Sequence, residues 1–137
     1  MKTSKTEINH LIYQIVGCAI EVHRHLGPGL LEKVYEKCLK YELESKGLKV
    51  MQQQAIPFEY KGVMIDADLR YDLLIEDSIV VEIKAVEIMH PIFDAQLLTY
   101  LKLLEKPKDL LINFNCTNLV KEGQKTMVTQ LYAELPE

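Results

Sequence analysis

The stretch YDLLIEDSIVVEIKA, residues 71–85, decides how the chain folds. It reads as two strands joined by a turn at EDS, residues 76–78, and the second strand, IVVEIKAVE over 79–87, is apolar enough to belong to a buried sheet. Yet it carries Glu82 and Lys84. Side chains alternate across a strand, so these two charges share a face with Val80 and Val86, while Val81, Ile83 and Ala85 point the other way. With a three-residue turn, Ile75 opposes Ile79, and counting back places Asp72 directly opposite Glu82. Opposed Cβ atoms lie about 4.5–5.5 Å apart, and opposed like charges destabilise a sheet. Two carboxylates so placed call for a cation between them. A hard divalent ion such as Mg²⁺ or Mn²⁺ fits, because it takes oxygen ligands from one or two carboxylates, waters and a phosphate. Lys84 alongside could hold a scissile phosphate or help an attacking water. An E-x-K pair alone in a strand is usually a solvent-facing ion pair, and a two-residue turn would set Asp72 against Ile83 instead.

Working outward, the remainder of the chain supplies a frame for this hairpin. Residues 5–25 place Ile8, Leu11, Ile12, Ile15, Val16, Ala19 and Ile20 at spacings of three and four, which predicts an amphipathic helix. LGPGL, 26–30, breaks it, and a second helix runs to about Ser45 with Leu31, Val34, Tyr35, Cys38, Leu39 and Leu43 on its apolar side. From Leu48 the period becomes two. LKVMQQQAIPFEY (48–60) reads as an extended edge segment, KG (61–62) as a turn and VMIDADLRYDLLI (63–75) as the returning strand, so that three strands form an antiparallel meander. Residues 92–106 return to helical spacing, and DLLINFN (109–115) enters the sheet beside the third strand by a crossover. KTMVTQLY (125–132) reads as one more strand. The expected fold is an α/β sandwich, a mixed sheet flanked by helices in the order ααβββαβ(β), formed as a single domain over 1–137.

Composition bounds the function. The chain has 137 residues, 48% hydrophobic and 26% charged, with net charge −4. No segment approaches the ~20 apolar residues that span a bilayer, and the polar N-terminus is unlike a secretion signal, so a cytoplasmic location is expected. Cys18, Cys38 and Cys116 are odd in number and widely spaced, with no CxxC pair, and read as reduced core residues. The acidic balance excludes indiscriminate phosphate binding over the whole surface; a polyanion would have to meet a local basic face.

Two further pairs complete the pattern. Gln96 and Tyr100 lie four apart on the helix after the EIK strand, and Glu32 and Tyr35 three apart after GPG. The run GLLEKVY, with Gly29, Glu32 and Tyr35, resembles the signature of the GxxExxY family, a group placed in the PD-(D/E)xK nuclease-like superfamily. Asp72, then Glu82 to Lys84 as E-I-K, then Gln96 to Tyr100 as Q-x-x-x-Y follow in the order of that superfamily, over residues 8 to 128. The resemblance implies a restriction-endonuclease-like sandwich with Asp72, Glu82 and the Ile83 backbone carbonyl as metal ligands and Lys84 as the catalytic lysine. It also implies that Glu32 supports the metal or its water, and that Tyr35, Gln96 and Tyr100 are accessory, substrate-side residues. Tyr71 stands where the superfamily name expects proline. The function so implied is metal-dependent hydrolysis of DNA, with a homodimer or a protein partner as further possibilities; the alternative is a nuclease-like fold kept as a binding or assembly module. Neither the His23 and His25 pair, about 200° apart on a helix, nor His90 before Pro91 offers a competing site. Asp66 stands about 20 Å from Asp72 by strand rise, too far to share one.

Overall fold

The computed structural model describes residues 1–137. Helix α1 (Lys5–Leu26) is started by Ser4, whose side chain accepts the Glu7 N–H, and is stopped at Gly27, whose φ of 67° suits glycine. Helix α2 (Glu32–Ser45) follows the LGPGL break. The two helices lie on one face of the sheet. Ile8, Leu11 and Ile15 of α1 and Tyr35, Leu39 and Leu43 of α2 pack with Ile75, Ile79, Val81 and Ile83 into the larger core.

The sheet has five strands in the order β1-β4-β5-β6-β7. These are β1 (Val50–Gln52), β4 (Leu73–Ile75), β5 (Ile79–Lys84), β6 (Lys108–Asn113) and β7 (Gln124–Lys125), with the short hairpin β2 (Glu59–Tyr60) and β3 (Val63–Met64) standing apart. Helix α3 (Pro91–Leu103) covers the second face, where Leu97, Tyr100 and Leu101 meet Tyr71, Leu74, Val80 and Leu111. Burial on both faces is why β5 reads as a nearly continuous apolar run, and why an acid within it is exceptional. β1, β4 and β5 are antiparallel, whereas β6 runs parallel to β5 after the α3 crossover. The mixed sheet flanked by helices is the architecture expected from the sequence.

Three local expectations are corrected. The long outer strands do not run continuously. The β1–β4 ladder continues through the Ala55–Arg70 bridge, but Pro57 has no N–H to give and Gln53 and Asp68 take positive φ. The tip therefore pairs only over β2 and β3, in a different register. β5 ends at Lys84 rather than residue 87, because Val86 leaves the ladder and is held on both its N–H and C=O by the Asn113 side chain at 3.1 and 2.9 Å. The last strand is also shorter. Lys125 opposes Leu111 and Val128 bridges Lys108, after which Thr129 opens a short helix, α5 (Gln130–Glu134), that replaces the second half of the expected strand. A one-turn helix, α4 (Leu119–Glu122), precedes β7.

Candidate active site

The register settles the question raised by the EDS turn: Ile75 pairs with Ile79 and Leu73 with Val81, so the next pair is Asp72 with Glu82. β4 begins only at Leu73, and at Asp72 the ladder changes character. The Asp72 N–H donates to Glu82 Oε1 at 3.0 Å, and the Ile83 N–H donates to Asp72 Oδ2 at 2.8 Å. Side-chain carboxylates have replaced backbone carbonyls as the acceptors. Both acids are thereby held where the β4–β5 ladder ends.

Glu82 is 9% exposed. Burial, reinforced by the negative charge of Asp72, holds its carboxyl well above the usual carboxylate range, and Lys84 offsets this only in part. No ion pair of the chain includes Asp72, Glu82, Lys84 or Glu36. The Lys84 ammonium sits 4.4 Å from the centre of the Phe93 ring, a cation–π contact with the first turn of α3. Lys84 thus lies against an aromatic ring and is paired with neither acid.

A residue that sequence reasoning passed over belongs to this cluster. Glu36, on α2, is 7% exposed and accepts hydrogen bonds from Gln52 Nε2 at 2.6 Å and Gln53 Nε2 at 3.0 Å. The same Gln53 amide donates to Asp72 Oδ1 at 2.9 Å, so one side chain joins the helix acid to the strand acid. Burial, and to a lesser degree the charge of Asp72, raises the Glu36 carboxyl, while the two glutamines favour its ionised form. The signal was present. Glu36, Leu39 and Leu43 lie three and four apart, so an acid occupies a position of the buried stripe, and QQQ interrupts the alternation of the edge strand.

The other expected site residues are distributed as follows. Glu32 is the first residue of α2 and is exposed, beside a hollow of about 410 Å³ that it shares with Leu30, Leu31, Lys33 and Ala85. Tyr35 is fully buried; it stacks on Phe114 at 4.5 Å between ring centres, accepts the Leu30 N–H at 3.1 Å and donates to Gly27 O at 2.5 Å. Its place is beneath the GPG loop. Gln96 Nε2 donates to the Tyr100 hydroxyl at 2.7 Å, and Tyr100 is buried in the α3 core with Tyr71. Asp72, Glu82 and Lys84 are thus brought together, with Glu36 and Gln53 added. The His90 imidazole caps α3 by accepting the Ile92 N–H.

No three His, Cys, Asp or Glu side chains are gathered in an arrangement able to hold a metal ion by themselves. The donors that fit an ion are the two oxygen-rich, uncompensated carboxylates of Asp72 and Glu82, a set suited to a hard divalent cation that keeps part of its water. A cavity of about 280 Å³ is lined by Lys33, Glu36, Lys37, Gln52 and Gln53, the last of which hydrogen-bonds Asp72. A larger groove of about 520 Å³ between α1 and α2 includes Tyr13, Gly17 and Glu42 but none of these residues.

The model of the PD-(D/E)XK nuclease superfamily matches residues 9–127. The chain belongs to this superfamily. No curated protein and no solved structure gives a significant match. Nucleases of the superfamily generally use divalent metal ions, in keeping with the paired carboxylates and adjacent lysine. No helix is long and apolar enough to cross a membrane.

Proposed function

We propose that this chain is a Mg²⁺- or Mn²⁺-dependent nuclease that hydrolyses phosphodiester bonds of DNA, working at the end of the β4–β5 ladder. One observation carries the reading. Asp72 and Glu82 face each other where the β4–β5 ladder ends, each fixed by a backbone N–H from the other's strand, with Lys84, in no ion pair, on the Glu82 side. Asp72 and Glu82 would hold the ion. The Ile83 carbonyl supports them: N–H and C=O of one strand residue point the same way, and the Ile83 N–H points at Asp72. When bound, a divalent ion supplies Lewis acidity toward a phosphate oxygen and makes water a better nucleophile at neutral pH.

The chain's own residues do the remainder. Lys84 holds a non-bridging phosphate oxygen and offsets charge that grows there as water adds to phosphorus and the phosphorus–oxygen ester bond breaks. Phe93 keeps its ammonium from folding back onto Glu82. Glu36, tied to Asp72 through Gln53, is the helix-borne acid that receives the proton lost by the attacking water, in place of Glu32, which the resemblance named as support for the metal or its water. Gln96 and Tyr100 act from behind, packing α3 against the strand that presents Glu82. The GLLEKVY run supports placement in the GxxExxY group.

Incubation of the protein with single- and double-stranded DNA in Mg²⁺ or Mn²⁺ tests this directly. Cleavage that stops in EDTA and in Lys84→Ala is expected; cleavage that persists at full rate in the purified Lys84→Ala protein would overturn the assignment.

A further inference from the structure

The carboxylate pair is acidic, in a chain of net charge −4, so a polyanion needs a cationic step to approach it. The structure has one beside it. Lys33 and Lys37 stand four apart on α2, one helical turn and about 6 Å by rise, and both line the cavity whose other walls are Glu36, Gln52 and Gln53. No hydrophobic side chain lines this cavity, which makes it a poor seat for an apolar ligand.

Neither lysine is spent on an ion pair. Lys33 lies three residues before Glu36, the spacing of a helical salt bridge, and Lys37 is its neighbour, yet Glu36 takes its hydrogen bonds from the two glutamines. Lys40, one turn further on, is committed to Glu44 at 3.3 Å. Lys33 also occupies the first turn of α2, where the helix dipole disfavours a cation. It borders both hollows of this region: the one shared with Glu36 and Gln53, and the one reaching Ala85, which follows Lys84. A row of positive charge thus passes from Lys37 through Lys33 toward the end of β5.

We propose that Lys33 and Lys37 form a phosphate-binding step on α2 that leads a DNA strand across the polar cavity to the Asp72 and Glu82 pair. The proposal rests on the nuclease reading and adds the path by which the strand arrives. The step reads backbone charge and carries no base preference, so it acts on affinity and on its dependence on salt.

The test is fluorescence anisotropy of a labelled DNA oligonucleotide, titrated at several salt concentrations with Ca²⁺ in place of Mg²⁺. Lys33→Gln/Lys37→Gln should bind roughly tenfold more weakly at moderate salt, and the slope of log K against log salt should become shallower by about 1.4–1.8, the contribution of two phosphate contacts. Lys33→Arg/Lys37→Arg should retain both affinity and slope. Lys61→Gln/Lys121→Gln, which removes the same charge from exposed positions elsewhere, should change neither. Equal behaviour of the two glutamine pairs, in a protein that still cleaves DNA, would overturn the step while leaving the nuclease reading standing. A wild-type protein that neither binds nor cleaves DNA would remove both.

Discussion

Asp72 and Glu82 hold each other in place: the N–H of Asp72 is bound by the Glu82 carboxylate, and the Asp72 carboxylate is bound by the N–H of Ile83, next to Glu82. Each acid thereby fixes the backbone that carries its opponent. The arrangement keeps two carboxyl groups close, that of Glu82 largely buried, with no cation of the chain paired to either. Its electrostatic cost is an expected feature of a site prepared for an ion, since a ligand that binds only the folded chain repays that cost on binding.

Without divalent ions, the raised Glu82 carboxyl makes the folded chain hold a proton that the unfolded chain has released. The unfolded state then binds fewer protons, so stability falls as pH rises from about 4.5 upward, by at most about 1.4 kcal/mol per pH unit for this one group, until the folded form also ionises. Glu82→Gln removes the ionisation and should be the more stable protein at pH 8 in EDTA. Adding Mg²⁺ should stabilise the wild type and leave Glu82→Gln nearly unmoved. Urea unfolding with and without Mg²⁺ checks both parts, and a wild type indifferent to the ion contradicts them.

The helix acid can be identified by comparing two substitutions. Glu36 is buried and bridged to Asp72 by Gln53, whereas Glu32 is exposed at the start of α2. Glu36→Gln should lower the cleavage rate about 100-fold or more, the scale of a lost general base. Glu32→Gln should keep the rate within a few-fold. Single-turnover cleavage by the two variants decides the matter; a reversed order would return the role to Glu32.

What the sequence disclosed followed from periodicity. The alternation in IVVEIK together with the EDS turn was enough to oppose Asp72 and Glu82, because a register is a count and the pleat has a period of two. The helical stripes likewise placed α1, α2 and α3. Contacts made by side chains across the sheet edge were not legible in that way. Gln53 reaches Glu36 and Asp72 only because its backbone turns to a φ of 51°, which no period announces. Tyr35 was expected on the substrate side because it stands in a motif with Glu32. Three residues along a helix leave a net offset of only about 60°, so the motif spacing puts both on one side; Glu32 is exposed as the first residue of α2, whereas Tyr35 lies against Phe114 in the core. The end of the chain misled for a different reason. KTMVTQLY has strand-like composition, but the pairing edge of β6 offers only Lys108 to Ile112, and the remainder had to fold back as α5.

Tyr35 joins the GPG loop to the core through its hydroxyl. Tyr35→Phe keeps the stack on Phe114 and strands the Leu30 N–H and the Gly27 carbonyl, for an expected loss of about 1–3 kcal/mol. Tyr35→Ala also removes a fully buried ring and should cost about 3–5 kcal/mol. Chemical denaturation measures both. A Tyr35→Phe protein of unchanged stability but reduced cleavage would instead give the hydroxyl a part in catalysis.

Asp109 poses the remaining question, that of a fully buried acid far from the paired carboxylates in role. Its Oδ1 accepts the Met127 N–H at 2.8 Å while its own N–H donates to Met127 O, so its side chain closes the ladder to the last strand segment; its Oδ2 has no partner. Burial pushes the carboxyl up to about 7, against the Met127 hydrogen bond and the charges of Lys108 and Lys125, which favour ionisation. Since the unfolded chain releases this proton near 3.8, the group contributes a stability that is fully present below that pH and is lost as pH rises to about 7, at up to about 1.4 kcal/mol per pH unit. Asp109→Asn can still offer an oxygen to Met127 and has no proton to lose. The difference in stability between the wild type and Asp109→Asn should therefore shift in favour of the variant between pH 4 and 7 and stay constant above. Parallel urea titrations across that range measure it, and a difference independent of pH would mean that Asp109 is ionised in the folded protein.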